Sequence, residues 1–191
     1  MFFYKSLFFI PLLSTVITYP VGLFLNDRAS QILSSSLISI SAFISWYCLF
    51  NFINSDLDPF LLPIFDWILI SGSYLNWGVA VNPLTLLILT LVLTVSALVH
   101  IYSIEYMSHD KSKNRFMVYL SLFTFCMFAL VVSDNIVQLF FGWEGVGLAS
   151  YLLIGFWHHK KSANNAAIKA FIVNRIADFG FLIGISLLYI Y

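Results

Sequence analysis

Charge is what this sequence most conspicuously lacks. Of 191 residues only 9% are charged, where a soluble domain carries about 25%. The nine basic residues balance the nine acidic ones to a net charge of +0, so no basic surface invites nucleic acid. Cysteine is nearly absent too. Cys48 and Cys126 stand alone in apolar runs, which excludes a disulfide framework and the paired spacing of zinc or redox sites. They read as small buried hydrophobes. The nine glycines form neither a phosphate loop nor a dinucleotide fingerprint, and no metal-ligand spacing occurs. The first residues show neither an arginine-rich amphipathic presequence nor a small-residue cleavage site. What fills the chain instead is apolar: 61% hydrophobic, 18% aromatic and a mean hydropathy of +0.93. This is the composition of an integral membrane protein. The twenty phenylalanines are compatible with an organelle-encoded chain.

The pattern predicts an all-α membrane protein of six transmembrane helices, with a short β-hairpin in the loop between helices 2 and 3. Residues 1–53 hold the first two spans, the first interrupted by Pro11 and Pro20, the second free of charge. Ser30, Ser34, Ser41 and Ser45 of the second fall on one stripe, a mark of close helix packing. Residues 54–82 form an outer-side loop. Asp56, Asp58, Pro59 and Pro63 break helix there, and Ser71-Gly72-Ser73 separates two strand-like runs. Trp67, Tyr74 and Trp77 suit the headgroup level, so the hairpin is expected at the membrane surface. Residues 83–132 hold spans three and four, the third opened by Pro83 at a favoured first-turn position. Residues 133–191 hold spans five and six.

Lysine and arginine set the orientation. Arg28, then Lys111, Lys113 and Arg115, then Lys160 and Lys161 follow the first, third and fifth spans. The loops after the second and fourth have none, and Lys5 is the exception. The odd loops therefore face the matrix or cytoplasm. Both termini then lie on the opposite side, the intermembrane space in a mitochondrion.

Four charges lie within the spans. Glu144 is the only acidic or basic residue of Asn135–Phe156. That run of about 22 residues reaches roughly 33 Å. A carboxylate at mid-membrane costs roughly 2.5 kcal/mol or more, so it faces protein or water and is a functional candidate. Gly142, Gly145 and Gly147 around it permit close helix approach. In the sixth span Arg175 and Asp178 are three apart and can pair along one face, as a structural neutralising pair or as part of an ion route. Asn174 extends that face. Lys169 reads as a snorkelling side chain or a pathway member. His100 can relay protons or pack as a capping residue. His158 and His159 read as solvated loop residues.

From Ser96 onward the residues resemble a known family. SALVHIYSIEYMS (Ser96–Ser108), RFMVYLSLFTFCMF (Arg115–Phe128), NIVQLFFGWEGVGLASYLLIGFW (Asn135–Trp157) and AAIKAFIVNRIADFG (Ala166–Gly180) are similar, in this order, to the antiporter-like chain 5 family of respiratory complex I, the NADH:ubiquinone oxidoreductase. Asn82-Pro83 departs from it, since the family usually has an aspartate there. The resemblance implies a proton-pumping membrane-arm subunit of the mitochondrial inner membrane with no redox cofactor of its own, FMN and iron–sulfur clusters belonging to other subunits. It implies a proton-channel role for Glu144, a switching ion pair for Arg175 and Asp178, and a less defined role for Lys169. Family members are at least about twice as long in spans, and their next helix carries the lysine that partners the glutamate. The expectation is therefore a split subunit whose remaining helices come from a second polypeptide, beside other complex I membrane-arm subunits and lipids such as cardiolipin at the basic loops. Two alternatives remain: the large subunit of a multisubunit sodium/proton antiporter, and a non-pumping scaffold of the complex I arm.

Overall fold

The computed structural model describes residues 2–55, 58–70 and 73–190. Six helices in it are long and apolar enough to cross a membrane. They are α1 (Phe2–Phe24), α2 (Asp27–Asn54), α3 (Pro83–Tyr106), α4 (Lys113–Val131), α5 (Ile136–Ile154) and α6 (Lys161–Ile190). Between α2 and α3 lies a two-stranded antiparallel hairpin, β1 (Phe60–Ile70) and β2 (Ser73–Val81). The expected architecture is the observed one. Ser71 and Gly72 of the expected turn, Asp56 among the expected breakers, and the Tyr74 side chain lie outside the described residues.

α1 runs unbroken through Pro11 and Pro20, as membrane helices allow. α1 packs on α2 and α4, α2 on α3, and α4 on α5. The serine stripe of α2 is fully buried at Ser30, Ser34, Ser41 and Ser45, as close packing requires. Both cysteines are buried and free. α6 is peripheral: 6% of its apolar window is buried within the chain, against 39% for α2, α3 and α4. Its main neighbour is α5.

The hairpin departs from expectation. Trp77 is not on an outer face of the chain but 5% exposed in its core. Its ring meets Phe8 of α1, Trp67 of β1 and Phe141 of α5 at centroid distances of 6.4, 4.9 and 4.9 Å. Such edge-to-face pairs add about 0.5–1.5 kcal/mol each beyond burial. β1 bulges between Pro63 and Phe65 and between Asp66 and Ile68, which accommodates a proline within a strand.

Polar contacts lock β2 to the start of α5. Asn135 caps α5 by accepting from Gln138 N at 2.8 Å, and its Nδ2 donates to Asn76 O at 3.0 Å. The fully buried Gln138 side chain takes both backbone groups of Gly78, accepting from its N at 3.1 Å and donating to its O at 2.8 Å. A Cβ at Gly78 would fall on the Asp134 carboxylate, which would have to move aside. At the opposite end, the loop between α3 and α4 is held by Asp110. Its carboxylate accepts from Trp157 Nε1 at 3.0 Å and from Ser112 N at 2.7 Å. These bonds, Trp157 foremost, hold the Asp110 carboxyl below the usual carboxylate range.

Two outcomes follow. Gln138→Ala leaves a buried N–H and C=O unpaired at Gly78 and should destabilise by about 2–4 kcal/mol, read as lost amide-exchange protection at Gly78 and earlier thermal unfolding. A depressed folded pKa means that the Asp110 contribution is present above the ordinary carboxylate range and lost as pH falls below it. Protection of the Ser112 amide should therefore weaken on acidification, and in Asp110→Asn this acid-dependent part should vanish.

Candidate proton site between α5 and α6

Small residues set the position of α5. At Gly142 a Cβ would lie 2.5 Å from the Leu130 backbone nitrogen of α4, so the two helix backbones touch there. The opposite face of α5 presents Trp143 and Glu144 to α6. Phe140 and Trp143 stack on Phe181 at 5.6 and 6.3 Å, and Tyr151 meets Phe171 at 5.3 Å. These ring contacts bracket a charged centre.

In that centre Arg175 Nη1 donates to Glu144 Oε1 at 2.7 Å, the one ion pair among the described residues. The Arg175 guanidinium also lies 5.1 Å over the Phe171 ring. Asp178 is 5% exposed; its Oδ1 accepts from Trp143 Nε1 at 2.9 Å. Asp178 lies close enough to Glu144 for the two acids to interact electrostatically. The site therefore gathers two carboxylates, one guanidinium and one indole N–H. Arg175 is 53% and Glu144 24% exposed on this chain, so the centre opens to the uncovered side of α6.

Two expectations change. Arg175 does not pair with Asp178 along its own helix; the rotation of α6 against α5 carries it to Glu144 instead, and Trp143 takes Asp178. Glu144 also has a counter-charge within this chain, supplied by Arg175 of α6. Trp143 was not singled out from sequence, since no spacing within α5 reveals a partner on α6. Lys169 is exposed on α6 and makes no hydrogen bond or ion pair among the described residues.

His100 is elsewhere. It is fully buried, with Nδ1 at 2.8 Å from the Ser96 carbonyl, to which it can only donate. In the neutral ring Nε2 then accepts from Ser121 Oγ at 3.2 Å, and Ser121 meets Ser14 at 3.0 Å. Ser96 adds a bond to Thr124 Oγ1 at 2.5 Å. This network ties α1, α3 and α4 together. Among the described residues no hydrogen bond links it to Glu144. No group of three or more His, Cys, Asp and Glu side chains able to hold a metal occurs among the described residues.

Residues 67–117 match the family model for NADH-Ubiquinone oxidoreductase (complex I), chain 5 N-terminus, and residues 133–191 the one for NADH:quinone oxidoreductase/Mrp antiporter, TM. The chain belongs to the complex I chain 5/subunit L family. It is 46% identical over 187 residues to NADH-quinone oxidoreductase subunit L of Rickettsia conorii, covering 95% of this chain and 28% of that protein. It is similar to NADH-ubiquinone oxidoreductase chain 5 of the alga Chondrus crispus, at 44% over 188 residues, 97% of this chain and 28% of that one. Chain 5 of Arabidopsis thaliana is 44% identical over 182 residues, 95% of this chain and 27% of the relative. The chain thus spans less than a third of these relatives, and the stretch it shares with the family includes the Glu144–Arg175–Asp178 centre.

A double-mutant cycle on Glu144 and Arg175 should give a coupling of about 0.5–1.7 kcal/mol, the range of interhelical polar contacts in membranes. The Arg175/Asp178 cycle should give less. Unfolding in mixed micelles reads both values, and a larger Arg175/Asp178 coupling would contradict the observed pairing.

Proposed function

We propose that this chain is the N-terminal part of the distal, antiporter-like proton-translocating subunit of respiratory complex I, in the mitochondrial inner membrane. The reading is supported most by the charged centre itself: a carboxylate on a membrane helix, paired with an arginine that has a second acid within its own helix. Such a trio can exchange a proton with water when Arg175 changes partner. In this mechanism Arg175 holds Glu144 in the observed pairing. Movement of Arg175 toward Asp178, three residues along the same face, releases Glu144 to accept a proton, and its return expels that proton. No electron moves through the chain. Redox groups, FMN and iron–sulfur clusters, belong in this reading to other subunits, and coupling reaches this one through the membrane arm.

The outer side of α6 is where further helices of the family would complete the path and supply a lysine facing Glu144, whichever polypeptide carries them. Lys169 joins the proposed set as a basic group on that uncovered surface, and His100 as a relay among hydroxyls. The basic loops after α1, α3 and α5 favour the matrix side, which leaves both ends of the stretch facing the intermembrane space. A sodium/proton antiporter subunit is the second reading, favoured by the matched description over residues 133–191, which names both systems. Copurifying flavin and iron–sulfur subunits would favour complex I, and small membrane partners alone the antiporter.

Glu144→Gln removes charge and little volume. The complex should assemble and oxidise NADH, while proton transfer through this subunit falls by about 100-fold. The measurement is the ratio of protons moved to NADH oxidised in reconstituted vesicles, and an unchanged ratio would rule out the role assigned to Glu144.

A further inference from the structure

A cavity of about 250 Å³ lies where α2 and α4 begin and α3 ends. Arg28 and Gln31 of α2, Ile104 and Glu105 of α3, Ser108 and Lys113 line it. Arg28 and Glu105 are exposed, so the mouth is charged and open. The inner wall is polar and unmet. Gln31 is 2% exposed, yet its Nε2 has no hydrogen-bond partner among the described residues. Ser35 is one turn deeper on the same face of α2. It is 5% exposed, and its Oγ is also without a partner among the described residues. A buried polar group left unmet costs about 1–3 kcal/mol, and water is what meets such groups inside proteins. At about 30 Å³ per water the cavity has room for several.

The helix stripes that line the cavity lead to His100. On α3, Ile104 lines it and His100 is four residues further in on the same face. On α4, Lys113 lines it, the fully buried Met117 is one turn further in, and Ser121 one turn beyond that. Ser121 Oγ is the hydroxyl that meets His100 Nε2 at 3.2 Å. Ile104 and Met117 are therefore the apolar side chains between the cavity and the His100–Ser121 pair. An apolar constriction of this kind holds water back by dewetting, and a methionine yields readily because its chain is unbranched and flexible.

We propose that this cavity is a hydrated vestibule, its inner waters held by Gln31 and Ser35, which gives the His100 network access to the basic-loop side across a seal of Ile104 and Met117. The use of that access rests on the relay role given to His100 above; the hydration of the vestibule does not.

The first test uses Ser35→Cys in a Cys48→Ala, Cys126→Ala background, within the complete complex in membrane vesicles. Aminoethyl methanethiosulfonate is added on the basic-loop side and modification is read by peptide mass spectrometry. Ser45 of the same helix is equally enclosed and lies beyond the level of His100. Ser35→Cys should react about tenfold faster than Ser45→Cys, since thiol reactivity follows access to water, and Ser108→Trp at the mouth should slow it. Equal rates at the two positions, or a Ser35→Cys rate indifferent to Ser108→Trp, would overturn the vestibule. The second test follows deuterium exchange at the His100 ring carbon Cε1. Ile104→Ala should speed it about tenfold by opening the seal, and an unchanged rate would overturn the connection to His100. If Ile104→Ala fails to assemble, the milder Ile104→Val decides in its place. Glu144→Gln should alter neither readout, so a failure of the pumping role leaves this assignment standing.

Discussion

Inside a bilayer there is no water to satisfy a polar group, so each must find its partner within protein. That constraint shapes every polar contact of this bundle. Gln138 is fully buried because it completes both backbone groups of Gly78; remove the strand and the amide would be a burden on α5. His100 is fully buried because a carbonyl and a hydroxyl meet its two nitrogens. Glu144 and Asp178 are tolerated because a guanidinium and an indole N–H face them. The same rule links distant parts. The hairpin fixes the start of α5 through Asn135 and Gln138, Gly142 fixes its distance from α4, and between them they determine which face of α5 meets α6.

The polar groups fall into two classes by what surrounds them. The Gln138 and His100 contacts are enclosed by the chain's own helices and act as ties between elements. The Glu144 centre is bounded by α5 and α6 but open on one side, with Arg175 more exposed than either carboxylate. A tie gains from enclosure. The proposed proton exchange needs an open approach and a counter-charge able to move, and among the described residues the α5–α6 centre, open on one side and holding Arg175, offers both.

The six spans, their order, the hairpin and the serine stripe were legible because each is a property of a single segment: apolar length, a turn-forming tripeptide, small residues at helical spacing. Glu144 was legible for the same reason, as a lone acid in an apolar run. What stayed hidden depends on how two segments are rotated against each other. The i, i+3 spacing of Arg175 and Asp178 is satisfied within α6, so nothing in that helix says that Arg175 turns to Glu144. Trp143 is one aromatic among many until Asp178 is brought opposite. Trp77 has the amphipathic ring of an interfacial residue, and its burial comes from Phe8 and Phe141, which lie far away along the chain.

The mismatch between spacing and observed pairing is itself informative. Intrahelical geometry allows Arg175 to reach Asp178, and interhelical packing gives it to Glu144, so one cation has two acids within its range. Fully ionised, the trio carries one excess negative charge; one proton makes it neutral. A charge arriving on the open side of α6 would repel or attract a half-exposed guanidinium more readily than the buried Asp178. In the proposed mechanism the cation is the mobile member of the centre, and Asp178, held by Trp143, is the alternative to which it moves.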